Sequence, residues 1–233
     1  MLNFHLKAYI CTKLGCMAKK KEWQEGEMIV VFNLKKLDNH YTPVMAEWLN
    51  VSEPTFDAVD EVLFKRLIPK VKRIASWKEE DLKMKFISPV LELGQVMEGE
   101  RFVSFFDKSL VDEVQGHKLS VKADFIIAKG VLEYMQRPYF HFQEYKPQKN
   151  PTGDPMAQLL EAFLIARQQN QKEGKEIPLY GCEIVGAIWR FVTMENDTYC
   201  VSKLYNCSEI DDLKQIIAIL RKFREILETR LLD

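Results

Sequence analysis

Asp124, Glu144 and Lys146 are the residues whose types and spacing could do chemistry together in this chain. Two carboxylates and an amine carried by neighbouring strands can hold a divalent cation beside a water molecule and hydrolyse a phosphodiester. In LSVKADFII (119–127) a period of two places Leu119, Val121, Ala123, Phe125 and Ile127 on one face, with Ser120, Lys122 and Asp124 on the other. In YFHFQEYK (139–146) the same period groups Phe140, Phe142, Glu144 and Lys146. Glu144 and Lys146 therefore project together, with Cα atoms roughly 6.5–7 Å apart. His141 points the other way, which argues against it as a general base.

The intervening AKGVLEYMQRP contains Gly130 and ends in Pro138, so the two runs are predicted to pair as an antiparallel ribbon with a long connection. Pairing would set Asp124 beside Glu144. Adjacent carboxylates raise one another's pKa unless a cation or an ammonium lies between them. Hard oxygen ligands favour Mg²⁺, with Mn²⁺ as a substitute. Lys146 would then position and activate water, or neutralise charge on the transition state. The competing reading is an exposed strand end with a solvated Glu–Lys pair worth about 0–1 kcal/mol. Glu173-Gly174-Lys175 shows that Glu-x-Lys also arises in a turn here. Spacing alone leaves both readings open.

The phrase WKEEDLKMKFISPVLELG (77–94), followed in order by KADFII, YFHFQEYKP and AQLLEAFLIA, resembles the PD-(D/E)XK nuclease superfamily, in particular the N-terminal nuclease domain of type I restriction enzyme motor subunits. The resemblance spans roughly residues 77–205. It implies an α/β, restriction-endonuclease-like core, a central mixed sheet flanked by helices. It also implies Mg²⁺-dependent endonuclease activity on DNA, in restriction or defence against foreign DNA. Carried over, the metal-binding acids fall on Asp124 and Glu144, the catalytic lysine on Lys146 and the helix glutamine on Gln158. The helix acid falls on Glu79, with Glu80 as its competitor, to complete the ligand set or hold a second ion. Ala123 stands where the family's eponymous proline would be. No Gly-x-x-x-x-Gly-Lys-Ser/Thr phosphate loop occurs, so ATP-driven translocation is expected to come from a separate motor or specificity partner. The rivals are a catalytically silent module of the same fold that binds nucleic acid or protein, and an RNA nuclease using the same site.

These residues must be positioned by a sizeable core, which 233 residues at 47% hydrophobic content can bury. No apolar run approaches the roughly 20 residues needed to span a bilayer, and no membrane partner is expected. The net charge of −1 argues against bulk electrostatic attraction to nucleic acid. Local clusters remain available for phosphates: Lys19-Lys20-Lys21, Lys35-Lys36, Lys70-Val71-Lys72-Arg73, and Lys146 with Lys149. The five cysteines are odd in number and lack Cys-x-x-Cys spacing, which argues against a disulfide or zinc framework and for the cytoplasm.

Four segments are expected. Residues 1–16 read as a tail or a mis-assigned start, with Met17 as the initiator. Residues 17–76 form an N-terminal helical extension, with helices at 40–50 and at 55–68, the latter capped by Ser52 or Thr55, stopped by Pro69 and buried through Phe56, Val59, Val62, Leu63 and Leu67. Residues 77–207 form the nuclease-like core: a helix over 78–93, strands near 101–106, 118–127 and 139–146, a helix opened by Asp154-Pro155, and a hairpin of 180–192 with 198–205. Residues 208–233 form an amphipathic helix capped by Ser208, which either packs on the parent core or forms a homodimer seam.

Overall fold

A computed structural model describes residues 21–37, 40–131, 134–149 and 151–232. The readings made for residues 1–16, Met17, Lys19 and Lys20 lie outside the described residues. In chain order the elements are α1 (Glu25–Val31), β1 (Lys35–Leu37), α2 (Pro43–Leu49), α3 (Ala58–Leu67) and a 3₁₀ segment (Ile68–Ser76). Next comes α4, in which Glu79–Leu82, a π turn at Lys83–Ile87 and Ser88–Leu93 run on without a break. Then follow β2 (Val103–Val114), β3 (His117–Val131), β4 (Tyr134–Lys146), α5 (Pro155–Lys172), β5 (Leu179–Val185), β6 (Ile188–Glu195), β7 (Thr198–Val201), β8 (Tyr205–Asn206) and α6 (Ile210–Ile226), the last extended by a π turn at Leu227–Leu231.

The strands make one mixed sheet in the order β1-β7-β6-β5-β4-β3-β2, with β8 paired to β6. The β1–β7 and β4–β5 pairs are parallel and the others antiparallel. One face of the sheet packs on α1 and α5 through Met28, Phe32, Leu160 and Phe163. The other packs on α2, α3, α4 and α6 through Trp48, Phe64, Phe86, Leu220 and Phe223. The result is a helix–sheet–helix α/β sandwich, consistent with a restriction-endonuclease-like core. The N-terminal segment supplies a strand as well as helices, because β1 forms a sheet edge beside β7. The C-terminal helix is buried along Leu213, Ile216, Ile217, Leu220, Phe223 and Ile226, so its apolar stripe belongs to the core of its own chain; Ile210 is exposed.

Local chemistry explains the ends of α5. Asp154 accepts from the N–H of Ala157 at 3.0 Å, Pro155 occupies the first helical position, and Gly174 adopts φ +70° beyond the end. The helix lies close on the sheet because Gly181 has no side chain: a Cβ there would stand 2.7 Å from the Phe163 ring.

Several expectations are corrected. The run 180–192 is two strands, β5 and β6, because Gly186 turns the chain at φ +58°. β2 reaches Val114 rather than ending near 106, and β3 and β4 run through most of the expected connection. α3 is capped by Asp57, which accepts from the N–H groups of Val59 and Asp60, so the helix starts later than Ser52 or Thr55 would set it. That start turns Val59 and Val62 outward and buries Phe64 and Leu67. Pro69 does not stop the chain's helical course, because the tighter 3₁₀ turn tolerates it near its start. Glu209 rather than Ser208 stands at the N-cap of α6, without a side-chain hydrogen bond. Among the described residues no helix is long and apolar enough to cross a membrane.

Candidate active site

The alternation expected for β3 breaks at Asp124. Leu119, Val121 and Ala123 pack with α5, whereas Phe125 and Ile127 pack on the opposite side. The cause lies on β2. The β2–β3 register is the same on either side, Phe106↔Phe125 and Lys108↔Ala123, but the pair between them, Asp107 opposite Asp124, is not bridged, and Asp107 adopts φ +56°. A left-handed residue re-aims a strand, and aspartate tolerates that conformation better than most side chains. Both aspartates at this break turn toward Lys83 on α4.

A second irregularity lies on β4. The register with β3 slips around Tyr139 and His141, so Phe140 is bulged and packs on the α6 side, away from the Phe142 face expected for it. Asn170 of α5 accepts from the Tyr139 N–H and donates to the Tyr139 carbonyl, both at 2.9 Å, satisfying the displaced backbone. Beyond the bulge the period of two resumes. His141, Gln143 and Tyr145 form one buried hydrogen-bonded row, in which the Tyr145 hydroxyl donates to Gln143 at 2.5 Å and the Gln143 amide lies 3.0 Å from His141 Nε2. Burial drives His141 down to about 3, so it is neutral.

On the other face, Lys146 Nζ donates to Glu144 Oε1 at 2.5 Å. Asp124 Oδ2 accepts from the Tyr145 N–H at 2.8 Å, taking a backbone donor just past the last β3–β4 pair, Phe125↔Gln143. Asp124, Glu144 and Lys146 are thus brought to the place where β3 and β4 part. All three are buried, Lys146 at 6% exposure, so Glu144 and Lys146 form a desolvated hydrogen-bonded pair and not the solvated pair of an exposed strand end.

Lys83 is a residue that sequence reasoning missed. Its Nζ donates to Asp124 Oδ1 at 2.6 Å and lies 3.2 Å from Glu79, 3.6 Å from Asp107 and 3.8 Å from Glu80. The structure therefore places Glu79, and more distantly Glu80, on Lys83. The Glu79–Lys83 spacing of four was a legible helical pair. The reach to Asp124 was not, since it depends on how α4 packs across the sheet. Burial alone would lower Lys83, but Asp124 and Glu79 outweigh it and hold the ammonium above the ordinary lysine range.

Burial raises the Asp124 carboxyl despite its donors, Lys83 and the Tyr145 N–H. Burial, and then the charge of Asp124, push Glu144 up to about 8, against the pull of Lys146. Its folded value lies above the ordinary 4.5, so the cation-free protein holds this proton tightly. Its stability should fall as pH rises from about 4.5 to about 8 and then level off. A cation bound there must displace the proton, so affinity should rise up to about tenfold per pH unit and plateau above about 8. Calorimetric Mn²⁺ titration across that range checks this, and a flat affinity would remove Glu144 from the cation site.

Gln158, in the first turn of α5, lines a cleft of about 250 Å³ with Lys146, Asp154, Glu161, Thr152 and Trp23. Its Oε1 is buried without a protein partner. A cleft of about 220 Å³ elsewhere, by Arg167 and Glu195, lacks the paired acids and lysine. The donor set fits a hard divalent cation: oxygens only, two buried carboxylates under mutual repulsion, and a neighbouring cleft for phosphate. Among the described residues no group of three or more acids, histidines or cysteines is arranged to hold a metal. Mg²⁺ commonly takes only one or two carboxylates, with waters and substrate phosphate completing its shell. Comparison with family models and with curated proteins returned no match for this chain.

Proposed function

We propose that the protein is a cytoplasmic, Mg²⁺-dependent nuclease of PD-(D/E)XK type that hydrolyses phosphodiester bonds in DNA. The observation that carries this reading is the convergence of buried Asp124, Glu144 and Lys146 at the parting of β3 and β4. A carboxylate pair whose burial and mutual charge push one member up to about 8 is costly unless a cation relieves it. Asp124 and Glu144 would hold the cation, with Glu79 the nearest further acid through Lys83. The chemistry such a cation supplies is Lewis-acid polarisation of a phosphate oxygen and acidification of water. Lys146 would orient the attacking water and offset the negative charge that develops on the phosphoryl oxygens. Gln158, which lines the cleft and whose Oε1 is buried without a protein partner, would accept a hydrogen bond from that water.

The route for DNA is supported by charge. Residues 65–78 carry Lys65, Arg66, Lys70, Lys72, Arg73 and Lys78 and no acid, and they lead directly into Glu79. Arg66, Lys72, Arg73 and Lys78 are exposed and have no acidic partner among the described residues. Such a track suits phosphate contacts despite the net charge of −1.

The test is cleavage of supercoiled plasmid, single-stranded DNA and RNA with Mg²⁺, with Mn²⁺ and with EDTA. Metal-dependent DNA nicking is expected, and RNA cleavage alone would reassign the substrate. Asp124→Asn should weaken Mn²⁺ binding by at least ~10-fold in calorimetry, because half the carboxylate charge at the site is removed. A second reading, the catalytically silent module, is favoured by one observation: Lys83 already neutralises Asp124. Absence of both cleavage and cation binding would decide for it.

A further inference from the structure

We propose that Lys83 is an internal counter-cation of this site: its ammonium neutralises Asp124 when no divalent cation is bound, and it competes with that cation for Asp124 and Glu79. The inference rests on the cation site proposed above, though not on cleavage.

The geometry is specific. Lys83 is the first residue of the π turn inside α4, and its side chain is only 8% exposed. An inserted π residue rotates the helix beyond it, and such turns concentrate at functional sites. Four acids from three elements surround the one ammonium: Asp124 at 2.6 Å and Glu79 at 3.2 Å, with Asp107 at 3.6 Å and Glu80 at 3.8 Å. Two of them have other donors, Lys122 Nζ at 2.9 Å from Asp107 and the Tyr145 N–H at 2.8 Å from Asp124. Lys83 therefore stands where a small cation would stand, between the buried strand acid and the helix acid. A flexible lysine stem permits withdrawal, since Glu80 and Asp107 lie on the exposed side of the cluster and can keep the ammonium paired after Asp124 is released.

The consequence is a threshold. Asp124 is never left as a bare buried charge, and the site fills only where the cation outcompetes a tethered ammonium. Removing that ammonium while keeping the volume of its stem, as in Lys83→Met, should tighten divalent binding by at least ~10-fold, because one like charge adjacent to the incoming cation is deleted.

The experiment uses the full chain. Wild type, Lys83→Met and Lys83→Arg are titrated with Mn²⁺ and with Mg²⁺ by calorimetry, and each is melted in EDTA and in excess Mg²⁺. Lys83→Met is expected to bind Mn²⁺ more tightly than wild type, to melt lower in EDTA, and to recover far more in Mg²⁺ than wild type gains. Lys83→Arg, which keeps the charge, should retain weak binding and a small Mg²⁺ effect. Equal or weaker binding by Lys83→Met, no binding by any of the three, or failure of Lys83→Met to fold even with cation would each overturn the proposal. Tighter binding without DNA cleavage would leave this inference standing and sink the nuclease reading. Metal-dependent cleavage by wild type with unchanged binding in Lys83→Met would do the reverse.

Discussion

Replacing Lys146 by alanine is expected to lower phosphodiester cleavage by ~10²–10³-fold or more, the range seen when one preorganised charge-stabilising donor is removed from an active site. The effect should fall on turnover with little change in DNA binding, since Lys146 is directed at Glu144 and the cleft rather than at the exposed basic track of residues 65–78. A lysine at a solvated strand end would contribute little to stability. The structure changes that expectation. Lys146 is buried against Glu144, and deleting it leaves a buried carboxyl without its nearest opposing charge. That carboxyl has an escape, because its affinity for a proton is already high; it can bind one and become neutral. The stability loss should therefore be moderate at neutral pH and grow as pH rises past about 8, the value to which Glu144 is pushed. Plasmid nicking, fluorescence anisotropy with labelled DNA and thermal melts at two pH values separate these effects. A Lys146→Met variant, which keeps most of the stem's packing, should match alanine in lost cleavage. Cleavage retained by both would remove Lys146 from the chemistry.

The pieces of this site were visible in the sequence to different depths. The existence of β3 and β4, the Asp154-Pro155 start of α5 and the stripe of α6 are local patterns that the structure contains, although the alternation of the two strands breaks at Asp124 and at Phe140. The Glu144–Lys146 contact follows from the same period of two and is present at 2.5 Å. The environment of Asp124 was not legible, because it depends on a residue of another strand: Asp107, in the left-handed region, shifts the faces of both β2 and β3 at that level. The bulge at Phe140 was hidden for a similar reason, since its displaced backbone is satisfied by Asn170, thirty residues later. Lys83 escaped notice because a lysine inside WKEEDLKMK reads as one more solvated charge. Only the packing of α4 across the sheet carries it onto a buried acid.

The reverse face of β4 is as consequential as the face with Glu144, and Trp48 is its keystone. The indole of Trp48 is fully buried and makes edge contacts with His141, Tyr180, Phe191 and Phe223 at centroid separations of 5.1–6.1 Å. Its Nε1 donates to the Ile219 carbonyl on α6 at 2.9 Å. One side chain from α2 thereby joins β4, β5, β6 and α6. Trp48→Ala should cost ~3–5 kcal/mol, combining lost apolar burial with the void left behind, and lower the melting temperature by roughly 10 °C for a domain of this size. Trp48→Phe should recover part of that loss through ring packing, leaving the Ile219 carbonyl without its donor. Since His141 packs against Trp48 and lies in the row that runs through Gln143 to Tyr145, the void opens directly behind the strand that presents Glu144 and Lys146. Cleavage by Trp48→Ala should therefore fall with the folded fraction on warming and approach wild type in the cold. Chemical denaturation with parallel cleavage assays at two temperatures would show this. A melting temperature unchanged from wild type would mean that α2 does not brace the sheet, and that the site is held from the α5 side alone.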